Sequence, residues 1–155
     1  MKTKVLILFV FLMISFSSFS QKFTLGEKLS PKSSNFKLLG ISSSTGVSTY
    51  QYIGAMTDPY FCNRRVGDII VGIKNGVVVT TIYNLIPENG EAGVPKSILD
   101  LIQSSLPFPL ANRDGIYGAN IDDITFSLSR SNNVLTFHKD RIMFMTSVKN
   151  SLLRN

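Results

Sequence analysis

The sequence has one cysteine, Cys62, and one histidine, His138, in 155 residues. A single cysteine cannot form a disulfide within the chain, so the fold must be stabilised by its core. We interpret Cys62 as a small buried apolar residue. Zinc-ligand spacing, an EF-hand loop and a phosphate-binding glycine motif are also absent from the sequence. We therefore expect no metal and no cofactor.

Few residues could carry catalysis. A Cys62–His138 dyad is the one nucleophilic pairing available, and neither residue lies in a sequence typical of a nucleophile. Asp122 and Asp123 are adjacent, so on a strand their side chains would point to opposite faces and would not share a proton. The sequence predicts a protein that is not an enzyme, with a Cys–His hydrolase as an alternative.

Acidic residues are fewer than basic ones, with 10 Asp and Glu against 16 Lys and Arg. Residues 21–155 hold 14 of the basic residues and all 10 acidic ones, which gives a net charge of +4. Nucleic-acid binding requires a basic stripe or an aromatic stacking motif, and neither is present, so no nucleic-acid partner is predicted. The modest positive charge favours anionic partners, including peptide carboxylates.

The one long apolar run occupies residues 5–14, between two lysines and a serine-rich segment. This order is typical of a secretory signal peptide with cleavage before Gln21. A retained membrane anchor is the alternative, but a spanning helix needs about 20 apolar residues. We expect residues 1–20 to be removed and residues 21–155 to be a secreted or periplasmic domain. The chain would then meet the membrane only transiently, through the signal peptide.

The strongest local pattern is Asn75-Gly76 between the apolar runs 69–74 and 77–86. Asn-Gly suits a type I′ turn, in which both central residues have positive φ, so the pattern predicts a β-hairpin. The turn sets a register of three facing pairs that we expect on the core face: Ile73 with Val78, Val71 with Thr80, and Ile69 with Ile82.

Other segments have weaker patterns. Pro95 and the helical spacing that follows predict a helix over 95–106, which Pro107 ends. A strand or a short helix fits 142–148, and a long surface connection is expected over 108–120. Strands are predicted at 23–25, 47–53, 124–129 and 134–137.

Residues 65–79 resemble the core signature of a bacterial PDZ domain, with Gly67-Asp68, alternating aliphatic residues and the Asn75-Gly76 turn. Three further segments resemble the family in the same order: its carboxylate-binding loop at 38–41 (Leu-Leu-Gly-Ile), the start of its second helix at 97–101, and its last core strand at 124–130.

The resemblance implies an α+β, mostly β fold. We expect a PDZ-like, partly open barrel or sandwich of five to seven strands, with one main helix at 95–106 and up to two short ones. Residues 21–155 would form this single domain, with insertions around 86–94 and 107–121. The family's short Ala-Gly-Leu helix is replaced here by residues 62–65, and the insertions would cover the groove if they lie over it.

The resemblance also implies a function. Leu39, Gly40 and Ile41 would hold a peptide that adds as a strand, with its terminal carboxylate at Gly40. Ile98 and Ile102 would line the opposite wall of the groove. We therefore expect a non-catalytic module that binds a C-terminal or extended peptide of an exported protein, with preference for a hydrophobic C-terminus.

Two alternatives stay open. The apolar residues Leu38, Leu39 and Ile41 are as easily explained as plain core. The chain also fits a different small α+β envelope protein, such as a secreted inhibitor or an outer-membrane-associated accessory protein, that binds a partner through a face of its sheet.

Overall fold

A computed structural model describes residues 23–131 and 140–154. Within these ranges the chain forms nine strands and two helices. The helices are α1 (Lys96–Ser105) and α2 (Asn150–Leu153). The strands are β1 (Phe36–Ile41), β2 (Ser48–Tyr52), β3 (Tyr60–Phe61), β4 (Arg64–Lys74), β5 (Val77–Leu85), β6 (Ala111–Arg113), β7 (Ile116–Ile121), β8 (Ile124–Ser131) and β9 (Arg141–Val148).

The strands form one open antiparallel sheet in the order β1-β2-β4-β5-β9-β8-β7-β6, and β3 pairs separately with β4. Pairing of β5 with β9 joins the half that precedes α1 to the half that follows it. This confirms the α+β, mostly β class. The described residues hold nine strands where five to seven were predicted, partly because the second predicted insertion is itself strand.

That segment forms the β6–β7 hairpin, so the predicted surface connection over 108–120 is wrong. Asp114 and Gly115 have φ of 52° and 81° and connect Arg113 to its partner Ile116. Asp-Gly is, like Asn-Gly, a two-residue hairpin signal, because both positions tolerate positive φ. The flanking residues are exposed or partly buried, which is why no apolar run marks them in the sequence.

The β4–β5 hairpin has the predicted turn, with φ of 53° at Asn75 and 73° at Gly76. Ile73 faces Val78 as predicted, but Val79 is then an extra residue on β5. Because of this bulge the two outer predicted pairs are wrong. Val71 faces Thr81 and Ile69 faces Tyr83, so the core receives Tyr83 where Ile82 was expected.

A second bulge lies at Gly67, inside β4. A Cβ at Gly67 would come within 3.0 Å of Arg141 Nε and 3.4 Å of the Asn84 carbonyl oxygen. Asp68 is buried and accepts a hydrogen bond from Asn84 Nδ2 at 2.8 Å. The Gly-Asp pair thus serves close packing of strands within the sheet.

The main core lies between one face of the sheet and α1. Phe61 stacks between Tyr83 and Phe144, at ring-centroid distances of 4.9 and 5.5 Å. Residues 142–148, for which a strand or a short helix was predicted, form strand β9. Residues 23–25 form no strand, although Phe23 is buried in the core. The signal peptide and the predicted strand at 134–137 lie outside the described residues.

Two arginines tie the 86–94 loop to the sheet. Arg64 pairs with Glu88 and, at 2.5 Å, with Glu91. Arg130 donates to the Glu91 carbonyl at 2.5 Å and forms a bidentate pair with Asp140 at 2.6 and 2.7 Å. The loop is therefore held at the edge of the core by charge-assisted bonds.

We expect Asp140→Asn to destabilise the protein at neutral pH and to have less effect in acid. The hydrogen bond from Arg130 lowers the pKa of the Asp140 carboxyl below its usual value. A carboxyl group whose pKa is lower in the folded than in the unfolded state stabilises the fold at pH values above its unfolded-state pKa. This stabilisation is lost as the pH falls through the folded-state pKa. Denaturant titrations across the acid range should therefore show the variant and wild-type midpoints converging.

The matched control for this variant is Asp123→Asn, which removes an exposed carboxylate at the β7–β8 turn. Its midpoint should follow that of the wild type at each pH. A difference for Asp140→Asn that stays the same at every pH would show that the pair with Arg130 does not link protonation to stability.

Candidate functional site

The three predicted peptide-binding residues Leu39, Gly40 and Ile41 lie in β1, which forms one edge of the sheet. They are therefore extended strand and do not form the predicted carboxylate-binding loop. Within β1 the pairing with β2 is bulged at Leu39, between the pairs Leu38–Tyr50 and Gly40–Thr49. A Cβ at Gly40 would meet nothing within 4 Å, so close packing does not require a glycine here.

The predicted opposite wall is not accessible. Ile98 and Ile102 lie on α1 and both are fully buried in the core. Their helical spacing was predicted correctly, but their interpretation as peptide contacts is wrong, because neither side chain reaches solvent. Residues four apart share one helix face, and that face is the one packed on the sheet.

The backbone N–H and C=O groups of β1 point alternately toward β2 and away from it, and hydrogen bonds to nearby residues show which do which. The Asn35 carbonyl accepts a hydrogen bond from Ile53 N–H, so the backbone groups of Asn35 point toward β2. By alternation, those of Lys37 also point toward β2. Phe36 and Leu38 then direct their backbone groups away from β2. Consistent with this, Phe36 N–H donates to the Lys32 carbonyl and not to β2. The outward N–H and C=O of Leu38 are the groups that an added strand would use.

Two apolar side chains of β1 are exposed. Leu38 is 50% and Ile41 66% exposed, so the interpretation of both as plain core is wrong. Leu38 pairs with Tyr50 and Ile41 with Ser48. Ser48 in turn pairs with the core residue Ile73, so these side chains extend the core face of the sheet outward to its edge.

A cavity of about 580 Å³ is lined in part by Ser48 and Tyr50 of the neighbouring strand β2. Its lining consists of the strand residues Ser48, Tyr50 and Ile73, here called the floor, and of a second set, here called the rim: Lys28, Leu29, Ser30, Pro31, Gly46, Asn75 and Gly76. Ser48 and Tyr50 are the register partners of Ile41 and Leu38 and lie one strand spacing, about 4.8 Å, inward from the exposed pair, and Ile73 lies one strand further inward.

The rim of the cavity is held by main-chain hydrogen bonds to the β4–β5 hairpin. Leu29 N–H donates to the Gly76 carbonyl at 2.9 Å, and Gly26 N–H donates to the Val78 carbonyl at 2.8 Å. In the sequence, residues 26–32 carry only loop signals, so their part in this site was missed. Nothing in their composition indicates which strand they cross.

Cys62 is the half of the alternative Cys–His dyad that the structure describes. Burial raises the pKa of the Cys62 thiol to about 12, which favours the thiol over the nucleophilic thiolate. The proposed partner His138 lies outside the described ranges, so the dyad stays untested. No group of three metal-ligating side chains occurs in residues 23–131 and 140–154. Neither described helix has the length and apolar character needed to cross a membrane.

Comparisons with protein-family models, with curated proteins and with solved structures find no match. The resemblance to PDZ domains therefore stays a prediction.

We expect Ile102→Ala to lower the free energy of unfolding by about 2–5 kcal/mol, the usual cost of truncating a buried isoleucine. Denaturant unfolding would measure this loss. The matched control is Leu101→Ala on the same helix, at a residue that is 39% exposed, which should cost much less. Equal losses at the two positions would contradict the assignment of Ile102 to the core.

We expect Cys62 to react slowly with thiol reagents at pH 8 in the folded protein and rapidly after denaturation. Its thiol is mostly protonated at this pH because its pKa is about 12. The rate of alkylation, followed by mass spectrometry with and without denaturant, tests this. A folded-state rate equal to the denatured rate would indicate an accessible thiolate.

Proposed function

We propose that this protein is a non-catalytic binding protein of the cell envelope or extracellular space, in which β1 pairs with an extended segment of an exported partner. Two features of the edge strand β1 carry the proposal. The backbone N–H and C=O of Leu38 point away from the sheet, and the apolar side chains of Leu38 and Ile41 are exposed. Strand addition uses both features, since main-chain bonds give affinity and side-chain contacts give selectivity.

Burial of the exposed side chains of Leu38 and Ile41 would contribute favourable free energy to binding. Full burial of a leucine or isoleucine side chain contributes about 1.5–3 kcal/mol. Leu38 and Ile41 are already partly covered, so each would add roughly 1 kcal/mol when a guest strand covers the remainder. With a few main-chain bonds, this favours a reversible complex more than a permanent one.

The same edge has features that limit unselective pairing. Lys37 places a charge on β1, and the bulge at Leu39 interrupts its regular alternation. Charged residues and bulges are the means by which edge strands avoid aggregation. A guest must therefore match a short stretch around Leu38 and the separate position at Ile41, which favours a specific partner.

The opposite edge is a poorer candidate. β6 has only three residues, Ala111–Arg113, with no large apolar side chain among them. A guest strand there would gain few main-chain bonds and little apolar burial. The proposal therefore places the partner at β1.

We expect a display library of random twelve-residue segments, half with free and half with blocked C-termini, to give binders that map to β1. Backbone NMR of the labelled protein should show the largest shift changes, and protection of the Leu38 amide from exchange, in residues 36–42. Leu38→Ser and Ile41→Ser should each weaken the selected peptides about threefold to tenfold, from lost apolar burial. Leu38→Pro should abolish binding by removing the outward N–H.

Ile116→Ser is the matched control, because Ile116 is a strand isoleucine of similar exposure, 51%, in β7. It should leave peptide affinity unchanged. Shift changes centred on β7 and β8 would instead support binding through a sheet face, and the absence of any selected binder would rule out the proposed function.

A further inference from the structure

We propose that Lys37 selects an acidic side chain in the segment that pairs with β1, through a direct cross-strand contact. This inference rests on the proposed function and specifies the partner's chemistry. The partner would be an antiparallel extended segment in which an apolar residue opposite Leu38 is followed at once by a glutamate or aspartate opposite Lys37.

Lys37 and Leu38 are neighbours in β1, so their side chains lie on opposite faces of the sheet. Leu38 is on the core face, because its partner Tyr50 packs against the main core. Lys37 pairs with Gln51 on the other face and is exposed. An added strand would therefore place one side chain beside Leu38 and the adjacent one beside Lys37.

The separation of Lys37 from this guest side chain follows from ordinary strand pairing. The outward N–H and C=O of Leu38 would both bond the guest residue opposite, which is the hydrogen-bonded pair of an antiparallel ladder. The next guest residue then faces Lys37 in a non-hydrogen-bonded pair, where the Cα atoms are about 4.5 Å apart and side chains approach most closely. The two charged side chains belong to adjacent strands, so the contact requires no reach across the sheet.

The antiparallel direction follows from the backbone groups that remain available. Phe36 N–H also points away from β2, but it already donates to the Lys32 carbonyl at 2.9 Å. Leu38 is therefore the residue in 36–38 that offers both an outward N–H and an outward C=O. An antiparallel guest satisfies both groups with one of its residues, whereas a parallel guest needs the two residues that flank the opposite one.

Lys37 has no counter-charge in the part of the chain that the structure describes. It is the one charged residue of strands β1 and β2, and its cross-strand partner Gln51 is neutral. Among residues 23–131 and 140–154 it belongs to no ion pair. A guest carboxylate opposite Lys37 would therefore meet a positive charge and no like charge on the strand that binds it.

Glu27, the one acidic residue in the segment 23–57, is held elsewhere. Its carbonyl accepts from Val78 N–H at 2.9 Å, beside β5, which is three strands from β1 in the sheet order. Burial raises the pKa of Tyr83 to about 12, and the nearby charge of Glu27 adds to the increase. Tyr83 belongs to the main core, whereas Lys37 points to the other face of the sheet.

The charge pair would contribute selectivity more than affinity. An exposed opposite-charge pair across two strands changes affinity by about 1.5-fold to fivefold, and like charges at the same positions are unfavourable. Lys37 would thus favour an acidic guest residue and disfavour a basic one, and discrimination of this kind depends on both effects.

The test uses peptides selected against the protein in its exported form. The peptide residue opposite Leu38 is identified by its nuclear Overhauser contacts to the Leu38 methyl groups. The residue that follows it is then made Glu, Gln or Lys, and a fourth peptide exchanges the order of the apolar residue and the Glu. Affinities are measured by fluorescence anisotropy.

The protein variants are Lys37→Glu and its matched control Lys28→Glu. Both remove an exposed lysine and make the same change in net charge, but Lys28 is bridged to Val77 of β5, three strands from β1. Backbone NMR spectra verify that each variant keeps the fold. Either charge at position 37 also keeps a charged residue on the edge strand, which limits aggregation of the variant.

With wild-type protein, we expect the Glu peptide to bind about twofold to fivefold more tightly than the Gln peptide, and the Lys peptide to bind more weakly than both. Lys37→Glu should reverse this order, and Lys28→Glu should preserve it. The peptide with exchanged order should bind more weakly than the original. Its Glu can no longer face Lys37 while its apolar residue faces Leu38.

Other outcomes separate this inference from the function on which it rests. Peptides that map to β1 but bind equally as Glu, Gln and Lys would overturn the acidic preference and leave strand addition standing. Equal effects of Lys28→Glu and Lys37→Glu would also overturn it, because the attraction would then come from net charge. Tighter binding of the exchanged order would contradict the antiparallel register. If no peptide is selected, the proposed function fails and this inference fails with it.

Discussion

Pairing of β5 with β9 is the interaction on which the rest of the sheet depends. Residues Thr80–Leu85 face residues 142–147 in an unbroken register, and the hydroxyls of Thr81 and Thr146 bond across it at 2.7 Å. Four strands lie on each side of this seam in the sheet order. Helix α1 connects the two sets and covers the core face. Without the pairing of β5 with β9, each set would leave an edge of unpaired backbone N–H and C=O groups, and helix α1 would have no continuous surface to pack on.

Much of this architecture is predictable because it is local. The Asn75-Gly76 turn, helix α1 and strands β2 and β8 all follow from turn chemistry, proline position and apolar periodicity within a dozen residues. Burial of Ile98 and Ile102 also follows from their spacing. Their assignment to a peptide groove came from the family resemblance, and it is this step, not the helix prediction, that the burial overturns.

The features that could not be predicted depend on distant parts of the chain. The Val79 bulge changes which residues of β5 face the core, and nothing in the adjacent residues distinguishes it from regular alternation. The position of β1 at an edge, and hence the exposure of Leu38 and Ile41, depends on which strands pair across the sheet. The cavity rim is the hardest feature to predict, because residues 26–29 are positioned by a hairpin about fifty residues later in the chain.

The seam also sets the order of folding. β5 ends at Leu85, but β9, which pairs with it, begins only at Arg141. The free edge of β5 can therefore be paired only after nearly the whole chain has been made. The β4–β5 hairpin can close within microseconds, whereas a sheet dominated by non-local pairing typically completes in milliseconds to seconds. A chain synthesised from its N-terminus would therefore hold a formed hairpin with an unpaired strand edge while residues 86–140 are being made. Protection of that edge until the last strand arrives is the point at which folding of this protein is most exposed to failure.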